Sequence, residues 1–240
     1  WYASWRSGTM DFFIQPLPFD DGVHTVSKIS PLWAVPDDAE LAAAGIDTAM
    51  LGWTGGTASL HNFLAAFVDL GGGDLGQWPR ERLAPLAEYI ASLRAPLAPT
   101  PPPAADVARG RAVFVAAGCQ ACHGGPRGMG DRTYGFDEIG TDAAIEWWAD
   151  GADHDGAPAG GLRFQPGDTI THAIKSPRLV GLWAMTRFLH NGALDSLDQL
   201  LCLAPRPDVP APAFGSGGHT FGCELPDADR RALVAYLNAH

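Results

Sequence analysis

The stretch Cys119-Gln120-Ala121-Cys122-His123 lies near the middle of the 240-residue chain and decides its fold. It has the Cys-x-x-Cys-His spacing at which a c-type haem is attached. Two residues between the thiols let both sulfurs reach the vinyl groups at one porphyrin edge, and the adjacent imidazole lies under the iron as its proximal ligand. The motif therefore predicts one covalent haem c, attached at Cys119 and Cys122 and ligated by His123.

Two other chemistries use a Cys-x-x-Cys pair. A thioredoxin-like redox dithiol begins a helix after a strand and requires no adjacent histidine. A structural zinc site requires a second pair of ligands, and no second Cys-x-x-Cys occurs in the sequence. Haem attachment is therefore favoured over both alternatives.

Helical patterns flank the motif. Asp106 is placed to cap the helix that leads to the motif, and Pro226 with Asp227 begins a final helix that contains Tyr236. A glycine on the first helix allows the second to approach closely, and the ring of Tyr236 would fill the remaining space. Two terminal helices around a haem resemble the cytochrome c fold, over about residues 106–240.

The first half contains two further helical patterns and then a proline-rich boundary. Apolar stripes predict helices over about 59–70 and 79–93. Dense prolines between 96 and 105 disfavour helix and favour extended backbone. The sequence therefore predicts a mostly α-helical protein with long irregular loops, divided into a lobe at 1–95, a linker at 96–105 and a haem domain at 106–240.

Five short segments occur in a characteristic order. They are Pro31-Leu32-Trp33, Leu51-Gly52-Trp53-Thr54-Gly55, Glu138-Ile139-Gly140-Thr141-Asp142, the block Pro177 to Trp183 with Phe188-Leu189-His190-Asn191-Gly192 and Leu197 to Leu201, and Gly218-His219-Thr220-Phe221-Gly222. Together they resemble the di-haem cytochrome c peroxidase superfamily, in the branch that holds the di-haem rubber oxygenases. The resemblance covers roughly residues 30–240 and implies cytochrome-c-like helical domains, one complete and one partial.

The sequence departs from that family in its number of haem motifs. Family members have two, whereas this sequence has one, and residues 1–95 resemble the closing part of the first haem domain without its attachment site. The missing haem is carried by a preceding segment, is carried by a second haem-bearing chain, or has been lost from this protein. Because one family haem performs substrate chemistry and the other relays electrons, the resemblance implies electron relay here. A peroxidase or oxygenase acting on peroxide or an apolar substrate is the alternative.

The sixth iron ligand has several candidates in the sequence. His219 follows two glycines, which permit a loop to approach a porphyrin face closely, and the resemblance also implies an axial histidine in this region. Met185 is the alternative ligand, although core packing is the stronger interpretation of that residue. The remaining candidates are His190, Met129 and His172.

Other residues are assigned by weaker signals. By resemblance, Trp53 lies near the path between the two haems, and a buried aromatic beside a glycine turn is the alternative. Arg178, Arg187 and Lys175 are candidates to pair with haem propionates, with ordinary surface charge as the default. The trio Asp153, His154 and Asp155 is a candidate metal site, with calcium as a possible ion and a solvated loop as the alternative.

Charge and cysteine usage bound the cellular context. The formal net charge of -11 disfavours nucleic acid and anionic membrane surfaces as partners, and no apolar run is long enough to cross a bilayer. Covalent haem of this type is attached outside the bacterial cytoplasmic membrane, which implies a periplasmic or extracellular protein with a redox partner. In that oxidising compartment Cys202 and Cys223 are expected to form a disulfide, with a reactive thiol or ligand role as the alternative.

Overall fold

The structure is a computed structural model of the chain. The residues that it describes are 7–11, 26–47, 49–70, 72–143, 145, 165–169, 171–208 and 215–240. In these ranges helices supply most of the regular structure and strands are few and short, so the predicted mostly α composition is confirmed. None of the helices in these ranges combines the length and apolar character that crossing a membrane requires.

The regular elements follow one another along the chain with long connections. The α-helices in the described ranges are α1 (Asp38–Ala43), α2 (Leu60–Leu70), α3 (Arg80–Ser92), α4 (Ala104–Ala116), α5 (Gln120–His123), α6 (Phe136–Ile139), α7 (Leu197–Leu200) and α8 (Asp227–Asn238). Two antiparallel pairs join β1 (Thr9–Asp11) to β2 (Val26–Lys28) and β3 (Thr133–Tyr134) to β4 (Ile174–Lys175). The predicted helices α2, α3 and α8 are confirmed, whereas α1 and both strand pairs were not predicted.

A capping box begins α1. The Asp37 carboxylate accepts the N–H of Glu40 at 2.8 Å, and the Glu40 carboxylate accepts the N–H of Asp37 at 3.0 Å. Glu40 also forms an ion pair with Arg127, with 2.6 Å between Oε2 and Nη2. The first half of the chain is thereby tied to the loop that follows the haem motif. The first core consists of Val35, Leu41, Ile46, Ala49, Met50, Leu51, Ile90 and Met129.

The close crossing of α4 and α8 depends on Gly110. A Cβ atom built on Gly110 would lie 1.9 Å from the carbonyl oxygen of Ala232 and 2.6 Å from Cβ of Tyr236, so no larger residue permits this approach. Phe114 packs beside Tyr236, with ring centroids 5.3 Å apart. The predicted approach of the two helices at a glycine is confirmed.

The proline-rich segment leads directly into α4. The helix begins at Ala104, inside the predicted linker 96–105, and Pro103 occupies the N-cap position. The prediction that Asp106 caps this helix is therefore wrong, because the helix has already begun and Asp106 lies in its first turn. The indole N–H of Trp183 donates to the carbonyl of Pro96 at 2.8 Å, and the division into domains stays a prediction.

A second core joins the middle of the chain to its final helix. Leu194 and Leu233 are its most buried side chains, at 0% and 2% exposed. Cys202 and Cys223 are joined by a disulfide, as expected from the sequence. The buried members of this core are Leu182, Phe188, Leu194, Leu197, Leu201, Leu233 and Leu237.

Long-range hydrogen bonds join the two halves between these cores. The indole N–H of Trp33 donates to the carbonyl of Val180 at 3.2 Å, and Nη2 of Arg178 donates to the carbonyl of Pro31 at 3.0 Å. The segment around 178–180 therefore packs against the first half of the chain, and its residues line two cavities.

Candidate functional site

The motif cysteines lie where α4 ends. Gly118 has φ 75°, a left-handed conformation that commonly follows a helix, and the N–H of Cys119 donates to the carbonyl of Phe114 at 3.1 Å. One further helical turn, α5, carries the second cysteine and the histidine. Neither Cys119 nor Cys122 forms a disulfide with another described residue, and both are partly buried, so both could be attached to a group in the neighbouring cavity.

His123 is oriented by a backbone carbonyl. Its Nδ1 lies 2.8 Å from the carbonyl oxygen of Gly128, and because a carbonyl only accepts, Nδ1 donates in this contact and the neutral ring has its lone pair on Nε2. Burial lowers the pKa of His123, which favours the neutral, metal-binding form. A Cβ on Gly128 would lie 2.8 Å from Cβ of Leu179, so glycine is required at this turn.

His219 is brought in from a distant loop. Its N–H donates to the carbonyl of Ile139 at 2.9 Å. The preceding Gly218 lies so close to Thr141 that an added Cβ would be 2.7 Å from the threonine Cβ. Burial, and then the neighbouring His123, lower the pKa of His219 to about 4. Its Nδ1 is buried without a hydrogen-bond partner among the described residues, so this ring is not satisfied by the protein alone.

The two imidazoles are spaced as ligands of one metal ion. The ring centroids of His123 and His219 are 6.2 Å apart and the planes are inclined by 60°. Two imidazoles on opposite sides of one metal, with bonds of about 2 Å and nitrogens about 1.1 Å from each ring centre, have centroids about 6.3 Å apart. Both planes then contain the bond axis and rotate freely about it, so the observed inclination is permitted. The spacing fits one iron between the rings.

Both thiols and both imidazoles line a single cavity of about 570 Å³. A large, mostly apolar cavity with a few convergent polar groups is typical of a cofactor site. With two thiols and two facing imidazoles in its wall, the cavity fits a covalently attached haem. Its apolar lining includes Phe114, Ile139, Leu182, Phe188, Leu197, Leu201, Leu233 and Leu237.

Three cationic side chains, Lys28, Lys175 and Arg178, also line this cavity. Burial, and then the charge of Arg178, lower the pKa of Lys28 to about 8 and that of Lys175 to about 7. No carboxylate of the described residues lies within ion-pair distance of these three cations. Because buried charges are normally paired, this group fits the two propionates of a haem.

Arg206 holds the loop that carries His219. Its Nη1 donates to the carbonyls of Ser216 at 3.0 Å and Gly218 at 2.7 Å, and its Nη2 donates to those of Leu200 at 2.8 Å and His219 at 2.9 Å. The sequence analysis missed this residue. A single arginine between two prolines has no motif around it, and only the folded chain brings these four carbonyls together.

Trp53 and His190 form part of the cavity wall. The indole N–H of Trp53 donates to the carbonyl of Lys28 at 3.0 Å, and its ring lies edge-on to His190, with centroids 6.4 Å apart. In His190, Nε2 lies 3.3 Å from Oδ1 of Asp142 and Nδ1 lies 3.4 Å from Oγ1 of Thr141. Both nitrogens of His190 therefore have protein partners, which disfavours it as the sixth iron ligand.

The other sequence-predicted candidates lie in different places. Met185 lines the cavity and packs on the second core. Met129 is 2% exposed within the first core, and His172 is exposed; neither of them lines the cavity. Arg187 is also outside the cavity lining and forms an ion pair with Asp195.

Tyr134 contacts the Cys-x-x-Cys-His segment, and the sequence analysis also missed this residue. It is 1% exposed, and its hydroxyl donates to the carbonyl of Ala121 at 3.3 Å. Burial, and then the Cys122 side chain, raise the pKa of Tyr134 to about 12, so the phenol stays neutral. A single tyrosine in a short strand gave no sequence signal for this role.

The predicted metal trio Asp153, His154 and Asp155 lies outside the described residues. Within the described ranges, no group of three or more histidine, cysteine, aspartate or glutamate side chains is arranged to hold a metal ion. The calcium prediction therefore stays a prediction.

Comparison of the chain with protein-family models, with curated proteins and with solved structures finds no match.

Proposed function

We propose that the chain is a c-type cytochrome that transfers electrons through one haem c, attached at Cys119 and Cys122 and ligated by His123 and His219. The observation that carries this proposal is the 6.2 Å spacing of the two imidazole centroids across a cavity that both thiols line. The cations Lys28, Lys175 and Arg178 in the wall of the same cavity are a separate observation that supports it.

When bound, the haem supplies a one-electron iron couple. His123 and His219 would hold the iron from the protein, and a chain that supplies both of these ligands would keep small molecules away from the metal. Two neutral imidazoles would set a lower reduction potential than a histidine with a methionine. The apolar wall would exclude water, and Lys28 and Lys175 would balance the charge of the two propionates.

The surrounding fold supports a cytochrome-c-like domain, because α4 and α8 cross closely at Gly110 in the helix that leads to the motif. Its place within the di-haem peroxidase superfamily rests on the five sequence segments described above. Trp53 lines both cavities, which supports a role near the electron path. The chain thus acts as the electron-relay part of a di-haem peroxidase-like protein, in the periplasm or outside the cell. Its partner is a redox protein or a second haem-bearing chain.

The test of haem attachment is an intact mass combined with a pyridine haemochrome assay, on protein exported through a c-type maturation pathway. We expect one haem per chain, and none in the Cys119→Ala/Cys122→Ala variant. The matched control is Cys202→Ala/Cys223→Ala, which removes two other cysteines and should keep the haem. Colourless protein after export, or thiols that remain free, would overturn the proposal.

A haem peroxidase or oxygenase is the competing function, and it requires an exchangeable axial position. With His219 on the iron, adding cyanide or peroxide to the ferric protein should leave its absorption spectrum unchanged within minutes. Rapid formation of a cyanide complex would instead favour the enzyme. Measuring the same protein with and without reductant shows whether the haem cycles between both oxidation states.

A further inference from the structure

A second cavity, of about 300 Å³, lies beside the first. Residues of α2, α3 and the chain before them supply most of its lining, and the electron transfer proposed above does not use it. Its apolar wall includes Leu32, Val35, Leu51, Leu60, Phe63 and Ile90.

A wall shared with the first cavity gives the second one a positive charge. The residues that line both are Lys28, Trp53, Lys175, Pro177, Arg178 and Met185. Three of them are the cations for which the described residues provide no ion-pair partner. The two carboxylates of a haem in the first cavity would pair with Lys28 and Lys175, which leaves the Arg178 guanidinium for the second cavity.

Arg178 lines both cavities and is hydrogen-bonded to a residue of the second. Its Nη2 donates to the carbonyl of Pro31 at 3.0 Å, and Pro31 lines the second cavity but not the first. A guanidinium has five N–H groups. Among the described residues, the Pro31 carbonyl accepts a hydrogen bond from one of them. Burial, and then the charge of Arg127, lower the pKa of Arg178 to about 10, so the guanidinium remains charged at neutral pH and its other donors suit an anion.

The volume of the second cavity limits its occupant. At 300 Å³ against 570 Å³, it has about half the space of the cavity assigned to the haem, which is too little for a second porphyrin. The cavity therefore suits a slender occupant, such as one unbranched apolar tail of medium length.

We propose that the second cavity binds a single-chain carboxylate of medium length, with its carboxylate at Arg178 and its tail against Leu60 and Phe63. The charge of the shared wall selects an anionic head, and the leucine and aromatic lining selects an apolar body. This site is additional to the proposed electron transfer and exists whether or not the first cavity holds a haem.

The test uses isothermal titration calorimetry to measure the affinity of the haem-bearing protein for decanoate and, separately, for decanol. Loss of a charge-assisted hydrogen bond corresponds to about 10- to 100-fold in affinity, so decanoate should bind at least about tenfold more tightly than decanol. Equal binding of the two, or no saturable binding of decanoate, would overturn the proposal.

Two variants locate the site. Leu60→Trp fills the cavity and should abolish decanoate binding, whereas Leu97→Trp, the same change at a side chain that is 92% exposed, should leave the affinity within about twofold. Arg178→Gln should weaken decanoate about tenfold or more and leave decanol unchanged. Undiminished binding by a folded Leu60→Trp protein would contradict the assignment.

The haem absorption spectrum and the melting temperature of each variant are recorded alongside the titrations. They show that Leu60→Trp is folded, and they separate this proposal from the preceding one. Protein without haem that still binds decanoate would overturn the cytochrome proposal alone, whereas haem-bearing protein that does not bind it would overturn the carboxylate site alone.

Discussion

The two sides of the larger cavity hold their histidines by different means. His123 is placed by its neighbours in sequence, because a single helical turn carries it and Gly128, five residues later, orients its ring. His219 is placed by distant residues, since Ile139 fixes its backbone and Arg206 binds the carbonyls around it. One side is a local motif and the other is a tertiary arrangement.

This difference teaches which changes should separate haem attachment from axial ligation. Damage to the helix pair beside the motif should unfold the protein. Damage to the loop around His219 should leave the thioether bonds intact and free one axial position of the iron. The following variants test that separation, from the largest expected effect to the smallest.

Gly110→Val should have the largest effect. Its side chain would occupy the space of the Ala232 carbonyl, which an added Cβ would approach to 1.9 Å, so α4 and α8 cannot keep their crossing. We expect the free energy of unfolding to fall by about 3 kcal/mol or more, measured by denaturant titration. Ala112→Val is the control, because it makes a similar change at an exposed position of α4. Equal stability of the two variants would contradict the packing described here.

Removing the disulfide by Cys202→Ser/Cys223→Ser should have the second-largest effect. The bridge closes a loop with a sequence separation of 21 residues, for which the loss of chain entropy in the unfolded state corresponds to about 3 kcal/mol. Because Cys223 follows His219 closely, the variant should also show a larger high-spin fraction in its absorption spectrum, with the haem still attached. A fully low-spin variant of unchanged stability would show that the bridge does not support this loop.

Arg206→Gln should lower the stability of the protein less than the two preceding variants, and it should change the spin state seen in the absorption spectrum. The hydrogen bonds from the Arg206 guanidinium to the surrounding carbonyls are lost or weakened, and we expect about 2 kcal/mol of destabilisation together with a mixed-spin haem. Arg109→Gln serves as the comparison, because Arg109 is 55% exposed and pairs with Asp229 at the surface. That variant should stay low-spin. An identical spectrum for both variants would show that Arg206 does not position the loop that carries His219.

The smallest effect is expected on the His123 side, at Glu40. Hydrogen bonding to Arg127 lowers the pKa of Glu40, so the ionised carboxylate is favoured in the folded state. Its contribution is present above the unfolded pKa and is lost as pH falls through the folded pKa. Since the pair is partly exposed, Glu40→Gln should cost less than about 1 kcal/mol at neutral pH.

The same comparison repeated in acid should show that the difference in stability between wild type and Glu40→Gln disappears as the pH falls through the folded pKa of Glu40. Glu88→Gln, at an exposed position of α3, provides the baseline for a neutral surface substitution. A difference that stayed constant from neutral to acidic pH would show that ionisation of Glu40 contributes nothing.

The sequence predicted local features well and tertiary ones poorly. The Cys-x-x-Cys-His spacing, the stripes of α2 and α3 and the glycine at the α4–α8 crossing are all readable over a few residues. Arg206 and Tyr134 could not be recognised, because the carbonyls they bind belong to other parts of the chain. The capping of α1 was readable in principle, since Asp37 and Glu40 have the capping-box spacing.

The most direct test of the account is electron paramagnetic resonance of the ferric protein, compared with His219→Gly and with His172→Gly as a control at an exposed histidine. We predict a low-spin signal in the wild type and in His172→Gly, and a high-spin signal in His219→Gly that imidazole converts back to low-spin. A high-spin wild type, or a His219→Gly variant that stays low-spin without imidazole, would contradict the placement of one iron between His123 and His219.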